Sequence, residues 1–272
     1  MARRVRHPRC WSAHLLWLAQ CSRRFWLACP QQRIKPPLSP IQALGTSVHE
    51  IIFETLKTNA STSLAEIFAA FSKKFLTQTP DPKLLSCGER CLRNFFDKYF
   101  VHGDRTGTQS VNVELAIAVS RNIEPVMDWT SPCKPAYQLF GIADEIRKEN
   151  SGLVIRDFKL AYREDEDSLF RYRLQFGVYR ACLKPKTEQE IFCEIFDLKT
   201  NEVSPVEPFS RGQIHALVMK AEKRIGGGPR SKNLNLCLYC PYQPICQNPY
   251  AASKQWKRPM IITQQLSLEL NP

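Results

Sequence analysis

The chain has 272 residues, 43% of them hydrophobic and 24% charged, which is the composition of an ordinary globular protein rather than a disordered or fibrous one. It contains no stretch of about 18 apolar residues free of charge, so no membrane-spanning helix and no membrane partner are expected. Thirty-eight Lys and Arg against 26 Asp and Glu give a formal net charge of +12, which favours polyanionic partners because each neutralised phosphate releases counterions.

The first nine residues are Arg-rich, and a short apolar run, His14 to Ala19, follows in the manner of an export signal. The run is short and holds His14, and Arg23 and Arg24 stand where a small-residue cleavage site belongs, so a cytoplasmic location is expected. With 11 cysteines in a chain of this size, a reducing compartment implies thiols used as metal ligands rather than as disulfides.

Trp11 to Ala28 lacks Pro and Gly and carries Leu15, Leu18, Cys21 and Phe25 at helical spacing, which predicts one helix. Cys29 to Pro40, with four prolines, reads as an extended linker. Helical patterns resume over Thr46–Thr58, Leu64–Leu76 and Leu84–Phe100. Ser110–Ser120 has the β-branched alternation of a strand, and Tyr137–Arg147 and Gly152–Leu160 read as a hairpin around Lys148–Ser151. Ser168–Leu183 is a predicted helix, Glu190–Leu198 a strand and Phe209–Arg224 a helix that stops at Gly226-Gly-Gly-Pro229. This order predicts an α/β fold: a small mixed sheet with N-terminal helices packed on it.

The cysteine-rich tail is the sharpest local signal. Cys237 and Cys240 form a C-x2-C pair, which lets two sulfurs reach one metal, and Cys246 returns after a proline-punctuated loop. A tetrahedral thiolate site needs a fourth ligand, and spacing alone does not choose among Cys21, Cys87, Cys91, Cys182 and Cys193. The last two sit in apolar patterns and read as buried thiols.

The second constellation lies in the hairpin. Asp157 and Lys159 are two apart on one strand and share a face, and the partner strand can bring Asp144 beside them. Two carboxylates on one face bind a hard cation such as Mg²⁺ or Mn²⁺, and a lysine there can orient a water and offset phosphate charge. Taken alone, Asp-x-Lys is more often a cross-strand ion pair on a solvated face. Gln175 and Tyr179 share a helical face by their i, i+4 spacing. A lone His49 in an amphipathic helix is more often structural than a ligand, and Glu114 in the first strand reads either as a further acid or as an exposed carboxylate.

Together these pieces resemble the PD-(D/E)xK nuclease superfamily, in its RecB-like branch with an iron–sulfur cluster. That branch includes the CRISPR-associated RecB-type exonucleases, the AddB nuclease domain and exonuclease V. The motifs stand in the family's order: Cys21, Gly45-Thr-Ser-Val-His49, Glu114, Gly141-Ile-Ala-Asp144, Asp157-Phe-Lys159, Gln175-Phe-Gly-Val-Tyr179 and the C-x2-C-x5-C tail. The resemblance implies a restriction-endonuclease-like core over residues 12–249, between a basic tail, 1–11, and a C-terminal tail, 250–272. It implies Cys21 as the fourth ligand, with Cys237, Cys240 and Cys246, of a 4Fe-4S cluster that joins the two ends of the chain. It also implies His49, Asp144, Asp157 and the Phe158 carbonyl as ligands of Mg²⁺ or Mn²⁺. Asp144, Asp157 and Lys159 would then be catalytic, with Gln175 and Tyr179 shaping the site and touching the nucleic acid. Ser22 departs from the proline that usually follows the first cysteine.

The expected activity is hydrolysis of DNA, exonucleolytic and on single strands, in repair, recombination or CRISPR adaptation. No G-x-x-x-x-G-K-[ST] loop is present, so any motor would be a helicase acting in trans. Two rivals remain at this level: a non-catalytic nucleic-acid-binding protein stabilised by zinc, since four thiolates suit Zn²⁺ as well, and a nuclease subunit active only in a complex.

Overall fold

The computed structural model describes residues 11–28, 39–58, 63–76, 81–102, 109–120, 137–149, 151–184 and 187–226, together with Cys240, Tyr242 and Cys246; in 109–120 only the backbone is described. Seven helices, α1 (Ala13–Leu18), α2 (Ser22–Ala28), α3 (Pro40–Thr58), α4 (Leu64–Leu76), α5 (Pro82–Phe96), α6 (Glu166–Leu183) and α7 (Arg211–Gly226), accompany five strands among these residues. The strands are β1 (Gln109–Ser120), β2 (Tyr137–Glu149), β3 (Gly152–Lys159), β4 (Ile191–Asp197) and β5 (Glu202–Pro205).

Local chemistry sets the helix starts. Ser39 with Gln42, Ser63 with Glu66 and Ser210 with Gln213 form reciprocal capping boxes, each side chain closing on the other residue's backbone N–H. Asp81 caps α5 ahead of Pro82, and Asp165 caps α6 through the Ser168 amide.

The strands form one sheet in the order β1-β2-β3-β4-β5, antiparallel except where β3 and β4 run parallel. On one face α1, α2, α6 and α7 bury Trp11, Leu16, Phe25, Phe176 and Ile214 against Ile146, Ile155 and Ile195. On the other, α3, α4 and α5 bury Leu44, Phe71, Phe75 and Phe95 against Phe158 and Phe196. This sheet flanked by helices fits a restriction-endonuclease-like core. Trp11 belongs to the folded part: it is 1% exposed, and its carbonyl accepts from the Phe140 amide at 2.9 Å.

Four expectations change in detail. α3 begins at Pro40, six residues ahead of the expected Thr46, with Ser39 and Gln42 capping it, and residues 29–38 of the linker expected over Cys29–Pro40 lie outside the described residues. The single helix over Trp11–Ala28 is two, broken so that Cys21 precedes α2, where its Sγ accepts from the Arg24 amide at 3.5 Å. The Arg24 side chain folds back onto the carbonyls of Trp17 and Leu18 at the end of α1 and fastens the break. The helix expected to run to Phe100 continues beyond Phe96 as a π-helical turn, Asp97–Val101, which carries Tyr99 to the sheet. Finally, β5 is an unanticipated strand of four residues at the sheet edge, reached through Asn201 at φ 64°. So short a strand, ending in proline, carries almost no alternation to read.

The central feature is the point where β2 and β3 part. Their register runs from Glu149↔Gly152 to Glu145↔Arg156 and stops there. Glu145 and Arg156, each 1% exposed, are held by the Tyr99 hydroxyl, which donates to Glu145 and accepts from Arg156 at 2.8 Å. Arg156 also donates to Glu194 at 2.6 Å. This buried, mutually satisfied network clamps the last rungs of the hairpin. The Phe158 amide, beyond the last rung, donates to the Asp144 carboxylate at 2.9 Å.

Candidate active site

Beyond the clamp, side chains from four elements converge. Asp144 stands on β2, Asp157 and Lys159 on β3, His49 on α3, and Gln175 and Tyr179 on α6. Asp157 and Lys159 point to one side as strand alternation requires. His49 Nδ1 lies 3.4 Å from Asp144 Oδ2, and the Lys159 ammonium is paired with Asp157 Oδ2. The Gln175 amide nitrogen donates to Asp157 Oδ1 at 2.7 Å and to the Tyr179 oxygen at 2.8 Å, while its carbonyl faces the Lys159 ammonium at 3.5 Å. With its oxygen accepting from Gln175, Tyr179 donates its own proton to the Ile142 carbonyl. A carboxamide suits this position because it offers two donors and an acceptor in one plane.

Gly141 makes room for that tyrosine. A Cβ there would lie 2.5 Å from Tyr179 Cε1, closer than carbon atoms approach, so the glycine of the Gly-Ile-Ala-Asp motif is required by the ring packed on it.

The electrostatics divide the two carboxyls. The Asp157 side chain is 2% exposed against 19% for Asp144. Burial pushes Asp157 up to about 6; the Lys159 ammonium opposes the shift and the Asp144 charge adds to it. Burial also acts to raise Asp144, but the His49 imidazole beside it and the Phe158 amide hold it below the ordinary carboxylate value. His49 would be depressed by burial, and the Asp144 carboxylate holds it above its usual value instead. Burial likewise acts against the Lys159 charge and is outweighed by Asp157 and Asp144. Neighbouring carboxyls with opposed shifts are what acid–base and metal chemistry use near neutral pH.

All of the predicted hairpin, α3 and α6 residues are thus brought together. Glu114 lies on β1 between the positions paired with Glu145 and Ala143, hence across from Asp144; its side chain is outside the described residues. Phe158 puts its ring into the core between the sheet and α5, and its amide on Asp144. Tyr172, whose ring centroid lies 5.8 Å from the Lys159 ammonium, was not anticipated, although a tyrosine three residues before Gln175 on the same helix face was legible.

The thiols form a separate locus. Cys21 is buried, and Cys240 and Cys246 are half-buried against the α1/α2/α6/α7 core. Burial raises the Cys240 thiol; Arg24 lowers it, and the Cys21 and Cys246 sulfurs, within electrostatic reach, raise it further. Cys237 lies outside the described residues. Cys182 and Cys193 are buried, as their apolar settings predict. Among the described residues no group of three or more His, Cys, Asp or Glu is gathered closely enough to hold a metal ion, and no helix is long and apolar enough to cross a membrane.

The fold and site are a mixed sheet between helical layers, with two acids and a lysine where two strands part. The model of the PD-(D/E)XK nuclease superfamily matches residues 13–247, and the chain belongs to that superfamily. Among solved structures, the one titled "Crystal structure of SSO0001" is 14% identical, covering 89% of this chain and 88% of its own, with a TM-score of 0.42. A likeness that low adds nothing to the assignment. No curated protein matches the sequence.

Proposed function

We propose that this protein is a metal-dependent deoxyribonuclease of the RecB-like branch, acting exonucleolytically on single strands and carrying a 4Fe-4S cluster. The observation that carries the reading is the convergence of His49, Asp144, Asp157, Lys159 and Gln175 beyond the last rung of the hairpin. The donor types, two carboxylates and an imidazole, are ones that Mg²⁺ or Mn²⁺ accepts. Asp157 Oδ2 is shut off from solvent and has no well-directed hydrogen bond, so the carboxylate is held ready for a cation and is met by the Lys159 ammonium. His49, Asp144 and Asp157, with the Phe158 carbonyl, would hold Mg²⁺ or Mn²⁺. Such an ion, when bound, polarises a scissile phosphate and lowers the pKa of water.

The chain's own groups do the rest. Lys159 carries a positive charge to the phosphate and orients the attacking water by hydrogen bonding. Gln175 fixes Asp157 from one side and Lys159 from the other, and Tyr179 fixes Gln175. The Phe158 amide orients Asp144. Preorganisation of this kind removes the cost of assembling the site during reaction.

The cluster would be held by Cys21, Cys237, Cys240 and Cys246. Cys21 and Cys240 both act electrostatically on Arg24, a buried cation whose charge suits thiolates, and Cys246 acts on Cys240. A clasp between the first helices and the tail removes loop-closure freedom and ties the ends to the core. The net charge of +12 supports a DNA partner. A helicase, recombination or CRISPR-adaptation protein would supply unwinding.

End-labelled single- and double-stranded DNA, incubated with Mg²⁺ or Mn²⁺, tests the activity. Wild type is expected to release short products from single strands, and Lys159→Ala and Asp157→Ala to lose cleavage by at least ~10²-fold while keeping the wild-type circular dichroism. Full activity in either variant would overturn the mechanism. Anaerobically purified protein is expected to be brown, with iron and sulfide; colourless protein with one zinc would overturn the cluster.

A further inference from the structure

The residues that lead outward from the catalytic lysine have no part in the mechanism above. The Tyr172 ring, 8% exposed, lies beside the Lys159 ammonium, its centroid 5.8 Å away. Tyr162 stacks on Tyr172, with ring centroids 5.5 Å apart and planes inclined by 25°. Tyr162 is itself only half-buried, and Arg163 and Glu164 after it are exposed. Its backbone is not loose: the Tyr162 amide donates to Asp197 Oδ2 at 2.9 Å, which ties the start of the loop to the end of β4. The two rings therefore form a fixed aromatic step from the ammonium toward solvent, with a cation next in the chain.

A half-exposed stacked aromatic beside a site that takes a phosphate matches one face of a nucleobase. Base stacking on aromatic rings needs no sequence, because every base has a π-face. A base in a duplex has both faces occupied by its neighbours and cannot take up such a seat without being unstacked, whereas a single-strand end is free to.

We propose that Tyr162, braced by Tyr172, is a base-stacking platform that seats the nucleobase adjoining the scissile phosphate of a single strand. The proposal rests on the nuclease reading and names the part of the substrate that reading leaves open. Tyr162 is a specificity-determining residue here, not a catalytic one.

The test compares wild type, Tyr162→Leu and Tyr162→Phe on single-stranded oligonucleotides that are fully based or carry an abasic site at each of the terminal three positions in turn. Tyr162→Leu is expected to raise KM about tenfold on the based strand with kcat within about twofold, and Tyr162→Phe to stay near wild type. On the strand lacking the seated base, Tyr162→Leu and wild type should become equal. An equal loss on based and abasic strands, or no loss on either, would overturn the platform. A second measurement does not depend on any variant. With Ca²⁺ in place of Mg²⁺, 2-aminopurine at the seated position should be quenched when wild type binds, and unchanged fluorescence at all three positions on saturating binding would overturn the platform. Quenching without any cleavage in Mg²⁺ or Mn²⁺ would leave the platform standing and sink the nuclease reading instead.

Discussion

Replacing Gly141 with alanine probes the brace of the candidate site without touching a charged group. The added Cβ would stand 2.5 Å from Cε1 and 2.7 Å from Cδ1 of Tyr179, a ring that is 5% exposed and anchored at its hydroxyl by Gln175 and the Ile142 carbonyl. The ring has to move, because the other partner in the clash is the backbone of β2. Overpacking of this kind costs ~1–3 kcal/mol, and displacing the hydroxyl from its partners adds ~0.5–1.5 kcal/mol for each hydrogen bond lost. The expected loss is thus ~2–4 kcal/mol, read as a lower urea midpoint with an unchanged slope. Cleavage should fall further than stability explains, by ~10–10²-fold, since Gln175 loses the contact that aims it at Asp157 and a shift of about 1 Å in a positioning group is enough. The double variant with Tyr179→Ala isolates the cause: once the ring is gone, Gly141→Ala should cost less than ~0.5 kcal/mol, leaving a coupling of about 2 kcal/mol. A Gly141→Ala protein with wild-type midpoint and cleavage would refute the packing account, as would the same penalty persisting without the ring.

Mn²⁺ affinity should weaken as pH falls through about 6, because burial pushes the Asp157 carboxyl up to about 6 and a ligand carboxyl must be ionised. His49, held above its usual value by Asp144, must also shed its proton, so the sign is the same for both; calorimetry in two buffers should show proton release, and an affinity flat from pH 5 to pH 7, about a unit on either side of that value, would count against the site. Gly88→Ala should destabilise by ~1–3 kcal/mol with cleavage at saturating substrate intact, since a Cβ there meets Phe71 Cζ at 2.2 Å in the core between α3, α4 and α5; thermal melts beside cleavage assays decide this. Asn94→Ala removes donors to the Leu198 and Lys199 carbonyls at 2.8 and 3.0 Å, and should lower stability by ~1–3 kcal/mol in a urea titration without altering metal affinity. Cys240→Ser should reduce bound iron at least severalfold while Mn²⁺ binding at Asp144 and Asp157 persists, because the thiols and the carboxylates are separate loci; unchanged iron would remove Cys240 from the ligand set.

Much of the fold was legible because it is written in local terms. Apolar periodicity marks α4 and most of α6, and the hairpin around residues 148–151 follows from alternation and turn chemistry. Weak local signals leave the rest of the fold unmarked in the sequence. The break before Cys21 has no Pro or Gly to announce it and is fastened by the Arg24 side chain on carbonyls six and seven residues back. Beyond Phe96 the residues keep helical periodicity while the backbone widens into a π turn. The edge strand β5 is too short for a period to register.

For the site, the residue types and their spacing were in the chain: Asp157 with Lys159 on one strand face, Gln175 with Tyr179 on one helix face, and a C-x2-C pair in the tail. None of these by itself separates a catalytic group from a solvated ion pair or a core tyrosine. What separates them is burial and company, and both depend on contacts between residues far apart in sequence. The Tyr99–Glu145–Arg156 clamp ends the ladder one rung short of Asp144 and Asp157, and α3 and α6 bring His49 and Gln175 to the opening. Only that assembly lifts the Asp157 carboxyl to about 6 while holding Asp144 low. The charge pattern along the chain determined which groups were available, and the tertiary structure decided which of them lose water and face one another.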